Sequence, residues 1–496
     1  MSTLQEAAMI TSRLVRSVVG WSAAALVVVA GSMAAQDASA VIADASKAMG
    51  VDTLSTVEYS ATGFDFALGQ AYNPSSPWPK FINKTYTRVI DFSRPASKVD
   101  RIRMQGENPP RGGGQQPIVG EQPQSQTIIV TQTTPWPQQL EIWMTPHGFL
   151  RAATANNATA AARTLGGKRY QVVTFTGQNK AKVNGYINDQ GLVERVETWI
   201  DNAYLGDMHV EWLYSDYKDV GGAKFPMKIV QRQGGYPTFD LTVSAVKVNP
   251  AVTIQAPQGG GGAPAGGGAA ATGVPTEKLA DGIYLILGGY ASLAVDFGDS
   301  IVVFEGPQSE ARANQVIAEA KRLIPGKPIR YVVNTHHHID HSSGLRTYVD
   351  EGAIVVTHEI NKGYFEKLFA LPHTLSPDRL EQSKKKARFE TVGAKKVMSG
   401  GGRSFELHHV RGNGHNEGLL IAYFPKEKIL YQADLYNPPP KPPAAPPATI
   451  SPYVASLADT IDRLKLDVVR IIPVHYPADT RTVTVDELKR MAGRGN

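Results

Sequence analysis

His336, His338, Asp340 and His341 stand within six residues of one another, in the run His336-His337-His338-Ile339-Asp340-His341. Neutral imidazole suits zinc and similar borderline cations, and a carboxylate set among imidazoles adds the negative charge that a second divalent ion requires. The spacing therefore predicts a hydrolytic centre built on two divalent metal ions, with zinc the first choice. Two plainer readings compete with it: an exposed His tract, or a low-complexity segment that binds metal weakly and does no chemistry. Against both, ten of the 12 His lie between positions 336 and 475, several of them just past apolar runs.

The run Ile329-Arg330-Tyr331-Val332-Val333, directly before the cluster, reads as a buried strand with the ligands on the loop at its carboxyl end. In these residues the chain resembles the metallo-β-lactamase superfamily, whose His-x-His-x-Asp-His signature is matched by His336, His338, Asp340 and His341. Gly414-His415-Asn416-Glu417-Gly418, before the apolar stretch 419–424, resembles the segment that carries the third His of the first metal. Ile429-Leu430-Tyr431-Gln432-Ala433-Asp434 looks like the strand delivering the bridging acid, and Ile471-Ile472-Pro473-Val474-His475 like the strand delivering the last His. The resemblance covers residues 275–496. It implies that His336, His338 and His415 hold one ion, that Asp340, His341 and His475 hold the other, and that Asp434 touches both, with Asp340 also assigned to catalysis. Chemistry supports the same division, because three neutral imidazoles form a face with one position left open for water. Two dications set against Asp340, Asp434 and a hydroxide leave about one positive charge to stabilise an oxyanion.

The remaining His are expected to be structural. His337 reads as a packing residue beside the ligands, His358 as a buried core His after an apolar strand, His408 and His409 as strand residues, and His373 as part of an exposed turn. Tyr436, two residues past the bridging acid, is the candidate for a hydroxyl that orients substrate.

At 496 residues the chain is too long for one core, and 42% hydrophobic with 19% charged residues is ordinary for a globular protein. The net charge of +6 is spread out, and the one dense basic run, Lys384-Lys385-Lys386-Ala387-Arg388, reads as a solvated helix face. No nucleic-acid motif accompanies it, so a small-molecule substrate is expected and nucleic acid is not. Residues 1–40 combine Arg13 and Arg16, an apolar stretch and small residues, the pattern of a signal peptide; a periplasmic or secreted location follows, with no stable membrane insertion after cleavage. The absence of Cys fixes the bridging ligand as oxygen.

Residues 41–250 carry alternating runs such as Val57-Glu58-Tyr59-Ser60-Ala61-Thr62 and predict a mainly antiparallel β domain. Its strands weakly resemble the curved sheets of periplasmic lipoprotein carriers. The Pro/Gly/Gln-rich stretch 106–126 reads as a disordered insertion, and 251–274 as a Gly/Ala/Pro linker. The β domain is expected to pack on the catalytic one with few obligatory contacts, so that a chain starting near Val274 would keep its activity. The catalytic domain, 275–496, is expected to be α/β, a four-layer αβ/βα metallo-β-lactamase sandwich, and the Pro-rich run 437–447 is a candidate for the rim of its cleft.

The leading function is a dinuclear metal-dependent hydrolase in which a bridging hydroxide attacks an ester, lactone, thioester or amide carbonyl. A β-lactamase and a phosphodiesterase are alternatives within the superfamily; an oxygen bridge from Asp434 looks more like the thioesterase and lactonase members. From a different class, the chain could be a binding protein for an apolar ligand with a structural metal site.

Overall fold

The computed structural model describes residues 38–177, 180–256 and 274–494, which form one compact unit. The signal-peptide reading falls on residues 1–40, of which 1–37 lie outside the described residues, as do 257–273 of the expected linker. Among the described residues no helix is long and apolar enough to cross a membrane.

The alternating runs of the first half build one eleven-stranded antiparallel sheet. Side chains alternate across a strand, so Val57, Tyr59 and Ala61 all fall on one face and are buried there. The first strand, Thr56–Phe66, pairs with the last, Tyr236–Val248, so the two halves of the meander join at the centre. The edges are then Gln122–Ile129 and Thr159–Leu165, neighbours in sequence at opposite ends of the sheet. Between them run the helices Trp136–Trp143 and Pro146–Ala155. The second starts where its sequence dictates: Thr145 accepts the Gly148 amide at 3.1 Å, and Pro146 takes the first position, where no amide is needed. Leu140, Ile142, Phe149 and Leu150 join Val41, Ala45 and Met49 of the helix Ala38–Met49 in one core against the buried face of the sheet.

Two expectations fail here. The 106–126 stretch is ordered: it ends in the edge strand, and Gly113 donates to Gln70 O at 3.0 Å while Gly112 donates to Gly414 O at 2.9 Å. Backbone hydrogen bonds replace the side-chain packing that the composition lacks, and glycine permits the approach, since a Cβ on Gly112 would lie 2.5 Å from Gln70 O. The basic run is not a helix face either. The helix Arg379–Ser383 ends before it, with Lys384 left-handed at φ 55°, and Lys385 reaches Asp350 at 3.5 Å.

The second half is a four-layer α/β sandwich, as its strand pattern requires. A seven-stranded and a six-stranded sheet stack face to face. In the strand Ile301–Phe304, Val302 and Phe304 point between the sheets while Ile301 and Val303 meet Ala313, Val316 and Ile317 of the helix Glu310–Leu323. In Leu420–Phe424, Leu420, Ala422 and Phe424 face inward and Ile421 and Tyr423 meet the helix Pro452–Leu464. Continuous apolar runs are therefore strands buried on both faces. Phe304 anchors the central layer, with Phe405, Phe424 and Tyr431 rings 5.2, 5.8 and 5.4 Å away; truncation of such a side chain costs about 3–5 kcal/mol.

Candidate metal centre

The site forms where parallel strands end. Ile301–Phe304, Ile329–Val333 and Ile354–His358 run parallel in one sheet, and Ile429–Gln432 and Arg470–Pro473 in the other. Their carboxyl ends open onto loops, the usual place for a ligand in such sheets. The first loop presents His336, His338, Asp340 and His341, the strand Ile429–Gln432 leads to Asp434, and Arg470–Pro473 leads to His475. His415 comes from the loop before Leu420–Phe424.

These side chains converge in two groups, His336, His338, His415 with Asp434, and Asp340, His341, His475 with Asp434, each with its ligand atoms within 4.8 Å of one another. His336 Nε2 lies 2.9 Å from His338 Nδ1 and 3.2 Å from His415 Nε2. Asp434 Oδ2 is 3.1 Å from His415 Nε2 and 2.8 Å from His341 Nε2, while its Oδ1 is 2.7 Å from His475 Nε2. The side chain of His475 is 31% exposed and that of Asp340 26%, whereas His336, His338 and His341 are fully buried, so the second group faces the open side.

The electrostatics suit cation binding. Burial pushes the His336 imidazole down to about 3, aided by His341, and holds His338 well below its ordinary value, so both are neutral and carry a lone pair. Burial opposes the charge on Asp434, yet His341, His475 and His415 hold its carboxyl well below the usual range. Burial likewise opposes protonation of His341, but Asp434 and Asp340 outweigh it and hold the imidazole well above its ordinary value. The donor set is compatible with metal ions: the imidazole nitrogens of His336, His338 and His415 face one another beside the Asp434 carboxylate.

Several groups that hold the ligands carry no sequence signature. Glu305, fully buried at φ 73°, accepts from Thr335 N–H at 2.8 Å with one carboxyl oxygen and lies 3.1 Å from His341 Nδ1 with the other. That contact holds a proton on Nδ1 and turns Nε2 inward, towards Asp434. Gln432 clamps the turn carrying Asp434, accepting from Leu435 and Tyr436 amides at 3.2 and 3.1 Å and donating to Tyr436 O at 2.6 Å. The clamp supports Asp434 in a left-handed conformation, φ 62°, which Asp tolerates better than most residues. Tyr290 donates to Asp340 Oδ2 at 2.8 Å and packs on His475 with ring centroids 4.6 Å apart.

The large sheet also reaches the centre, contrary to the expectation of few obligatory contacts. His338 Nε2 donates to Ala71 O at 2.8 Å, Gln70 Nε2 donates to Asp340 Oδ1 at 2.7 Å, and Ile339 N–H donates to Gly69 O at 3.1 Å. Tyr204 donates to His337 O at 2.5 Å.

Tyr436 does not face the ligand groups. Its side chain is buried, and its hydroxyl donates to Glu487 at 2.5 Å, because the Gln432 clamp turns it away from Asp434 into the core beneath Pro452–Leu464. His337 is buried beside Asn416, which lies 3.0 Å from its Nδ1. His358 caps the helix Glu359–Phe369 and packs on His409, while His408 pairs with Glu406 at 2.7 Å. His373 is buried rather than exposed, because its turn docks on the large sheet: Asp207 N–H donates to Pro372 O at 2.8 Å and Asp207 accepts from Thr374 N–H at 2.9 Å. The Pro-rich run contacts Arg490, which donates to Pro443 O at 2.8 Å.

Residues 301–475 match the family model of the metallo-beta-lactamase superfamily. The 2,4-dinitroanisole O-demethylase subunit alpha of Nocardioides sp. (strain JS1661) is 25% identical over 165 residues, 32% of this chain and 45% of its own length. The chain thus spans less than half of that curated relative. Similar solved structures include the metallo-beta-lactamases from Pontibacter korlensis (17% identity, TM-score 0.33, 45% of this chain and 98% of that one) and Hirschia baltica (18%, 0.34, 45% and 98%). A flavoprotein from Thermotoga maritima is 14% identical, with TM-score 0.33 over 44% of this chain and 60% of its own.

Proposed function

We propose that the chain is a dinuclear metal-dependent hydrolase acting on a carboxylic ester, lactone, thioester or amide. The observation that carries this reading is Asp434, whose carboxylate belongs to both groups of ligand atoms: Oδ2 lies 3.1 Å from His415 Nε2 and 2.8 Å from His341 Nε2, and Oδ1 lies 2.7 Å from His475 Nε2. Divalent ions, zinc by preference of the ligand set, would supply Lewis acidity and lower the pKa of a bound water towards about 7. The chain's own residues do the rest. His336, His338 and His415 form the buried side. Asp340, His341 and His475 form the side that substrate can reach, since Asp340 and His475 are its exposed members. Asp340, held by Tyr290 and Gln70, is fixed in orientation and placed to take a proton from the attacking water and return it to the leaving oxygen, sulfur or nitrogen. Glu305 holds the Nδ1 proton of His341, so that Nε2 is the atom aimed at the centre and would serve as the ligand once a divalent ion displaces its proton.

The test is turnover of purified full-length protein on an ester, a lactone, a β-lactam, a phosphodiester and 2,4-dinitroanisole, with and without chelator and after zinc is restored. The aryl ether is included because the relative at 25% identity is named for its O-demethylation. Chelator-sensitive turnover of the ester or lactone, above that of the phosphodiester, is expected. Faster phosphodiester turnover would overturn the substrate order, metal-dependent cleavage of the ether alone would move the reaction class, and no metal-dependent turnover would favour a binding role.

A further inference from the structure

We propose that the loop joining the first two strands of the large sheet is a working part of the metal centre, with Gln70 the positioning residue for Asp340 and Ala71 the anchor of His338. The inference rests on the dinuclear reading and deepens it. The loop lies between Thr56–Phe66 and Lys80–Asp91, and its ends are joined by Ala67 N–H donating to Pro79 O at 3.0 Å, so it is a closed excursion and not part of the sheet ladder. Instead of turning back tightly it carries Gly69, Gln70, Ala71 and Tyr72 onto the ligand loops. Gly69 O accepts from Ile339 N–H at 3.1 Å, and Tyr72 O accepts from Glu417 N–H at 2.8 Å. Asn73 Nδ2 donates to Glu417 at 2.6 Å.

Two of these contacts act on different ligands. Asp340 has one oxygen on Tyr290 from its own fold unit and the other on Gln70 from the sheet, which together leave the carboxyl group little freedom to rotate. His338 presents Nδ1 to the centre only while Nε2–H is occupied, and Ala71 O occupies it at 2.8 Å. Gly113, on the second strap of the sheet, closes over that ring: a Cβ there would lie 2.9 Å from His338 Nδ1 and Cε1 and 2.1 Å from Gln70 Oε1. The sheet therefore sets the geometry of one residue in each group, His338 in the first and Asp340 in the second.

The test is zinc binding, not turnover. Full-length protein stripped of metal is titrated with zinc against a competing chelator, for wild type, Gln70→Leu and Gly113→Val, with thermal melting of each apo protein as the check on folding. Gln70→Leu should weaken the second ion about 10–100-fold, the range for loss of an outer partner of a ligand, and leave the first within about 3-fold. Gly113→Val should weaken both ions by at least as much, by displacing the His338 ring and the Gln70 side chain. Unchanged zinc affinities in Gln70→Leu would overturn the proposal. So would equal weakening of both ions in both variants with lowered melting temperatures, which would mean the loop acts only through stability. A wild type that binds no second ion would instead overturn the dinuclear reading itself, a result separable from either.

Discussion

Replacing Glu305 by Gln is the sharpest perturbation of the centre, because it leaves the shape and removes one acceptor. In the native protein one carboxyl oxygen accepts from Thr335 N–H at 2.8 Å, and the other lies 3.1 Å from His341 Nδ1, which donates to it. In Glu305→Gln the amide oxygen can still serve Thr335, but the NH2 group then faces His341 Nδ1–H. Two outcomes are open. The donors stay opposed in a site with no solvent, which costs about 1–3 kcal/mol for a buried unmatched group. Alternatively the imidazole moves its proton to Nε2 and aims an N–H at Asp434 and the second group of ligands. Either way His341 ligates poorly. At about 1.4 kcal/mol per tenfold, the second ion should bind roughly 5- to 150-fold more weakly. The first should be nearly untouched, since Thr335 and His336 keep their hold. Zinc titration of apo protein against a chelator reads both steps. Wild-type affinity for the second ion in Glu305→Gln, or an equal loss at both ions, would refute the assignment of Glu305 as the group that fixes the His341 proton.

Two further outcomes are expected. His338→Ala should abolish binding of the first ion, whereas His337→Ala, which removes only a ring packed beside Asn416, should change metal affinity by no more than about 10–100-fold; equal damage in zinc titrations of the two would mean the ligands are misassigned. In the large sheet, burial lowers the His147 imidazole from 6.5 to about 4 while its Nε2 bonds Met49 O. Between those values the unfolded chain takes up a proton that the folded chain refuses, so stability falls as pH drops from 6.5 towards 4, by up to about 3 kcal/mol. Urea unfolding of His147→Gln should lack that part of the slope, and an unchanged slope would count against it.

The convergence of the seven candidate ligands was legible because they are polar residues placed just past buried strands, which the fold brings to one end of both sheets. The strand Ile329–Val333 and the helix Pro452–Leu464 have the limits that periodicity and the flanking residues suggest. What the sequence concealed is of two kinds. Glu305, Gln432 and Gln70 act through contacts formed by the fold, and a lone Glu or Gln after a strand carries no spacing that distinguishes it from a surface residue. Tyr436 misled for the same reason: nearness to Asp434 in sequence says nothing of direction, and a left-handed turn at Asp434 sends the next side chains to the far side of the strand. The 106–126 stretch reads as disordered because it is rich in Pro, Gly and Gln, yet glycines that lie against backbone and an imidazole are held by hydrogen bonds that composition does not reveal.

The central claim is that seven side chains from four chain segments hold two divalent ions. Elemental analysis of the full-length chain, purified without chelator and then reconstituted with zinc, tests it most directly. The account predicts close to two ions per chain in the wild type and at most about one in Asp434→Ala, which loses the carboxyl group common to both groups of ligands. Iron or manganese in place of zinc would leave the claim intact, since imidazole and carboxylate ligands discriminate poorly among these ions. A wild-type content that stays at or below one ion after saturating zinc, with all seven ligands in place, would contradict it.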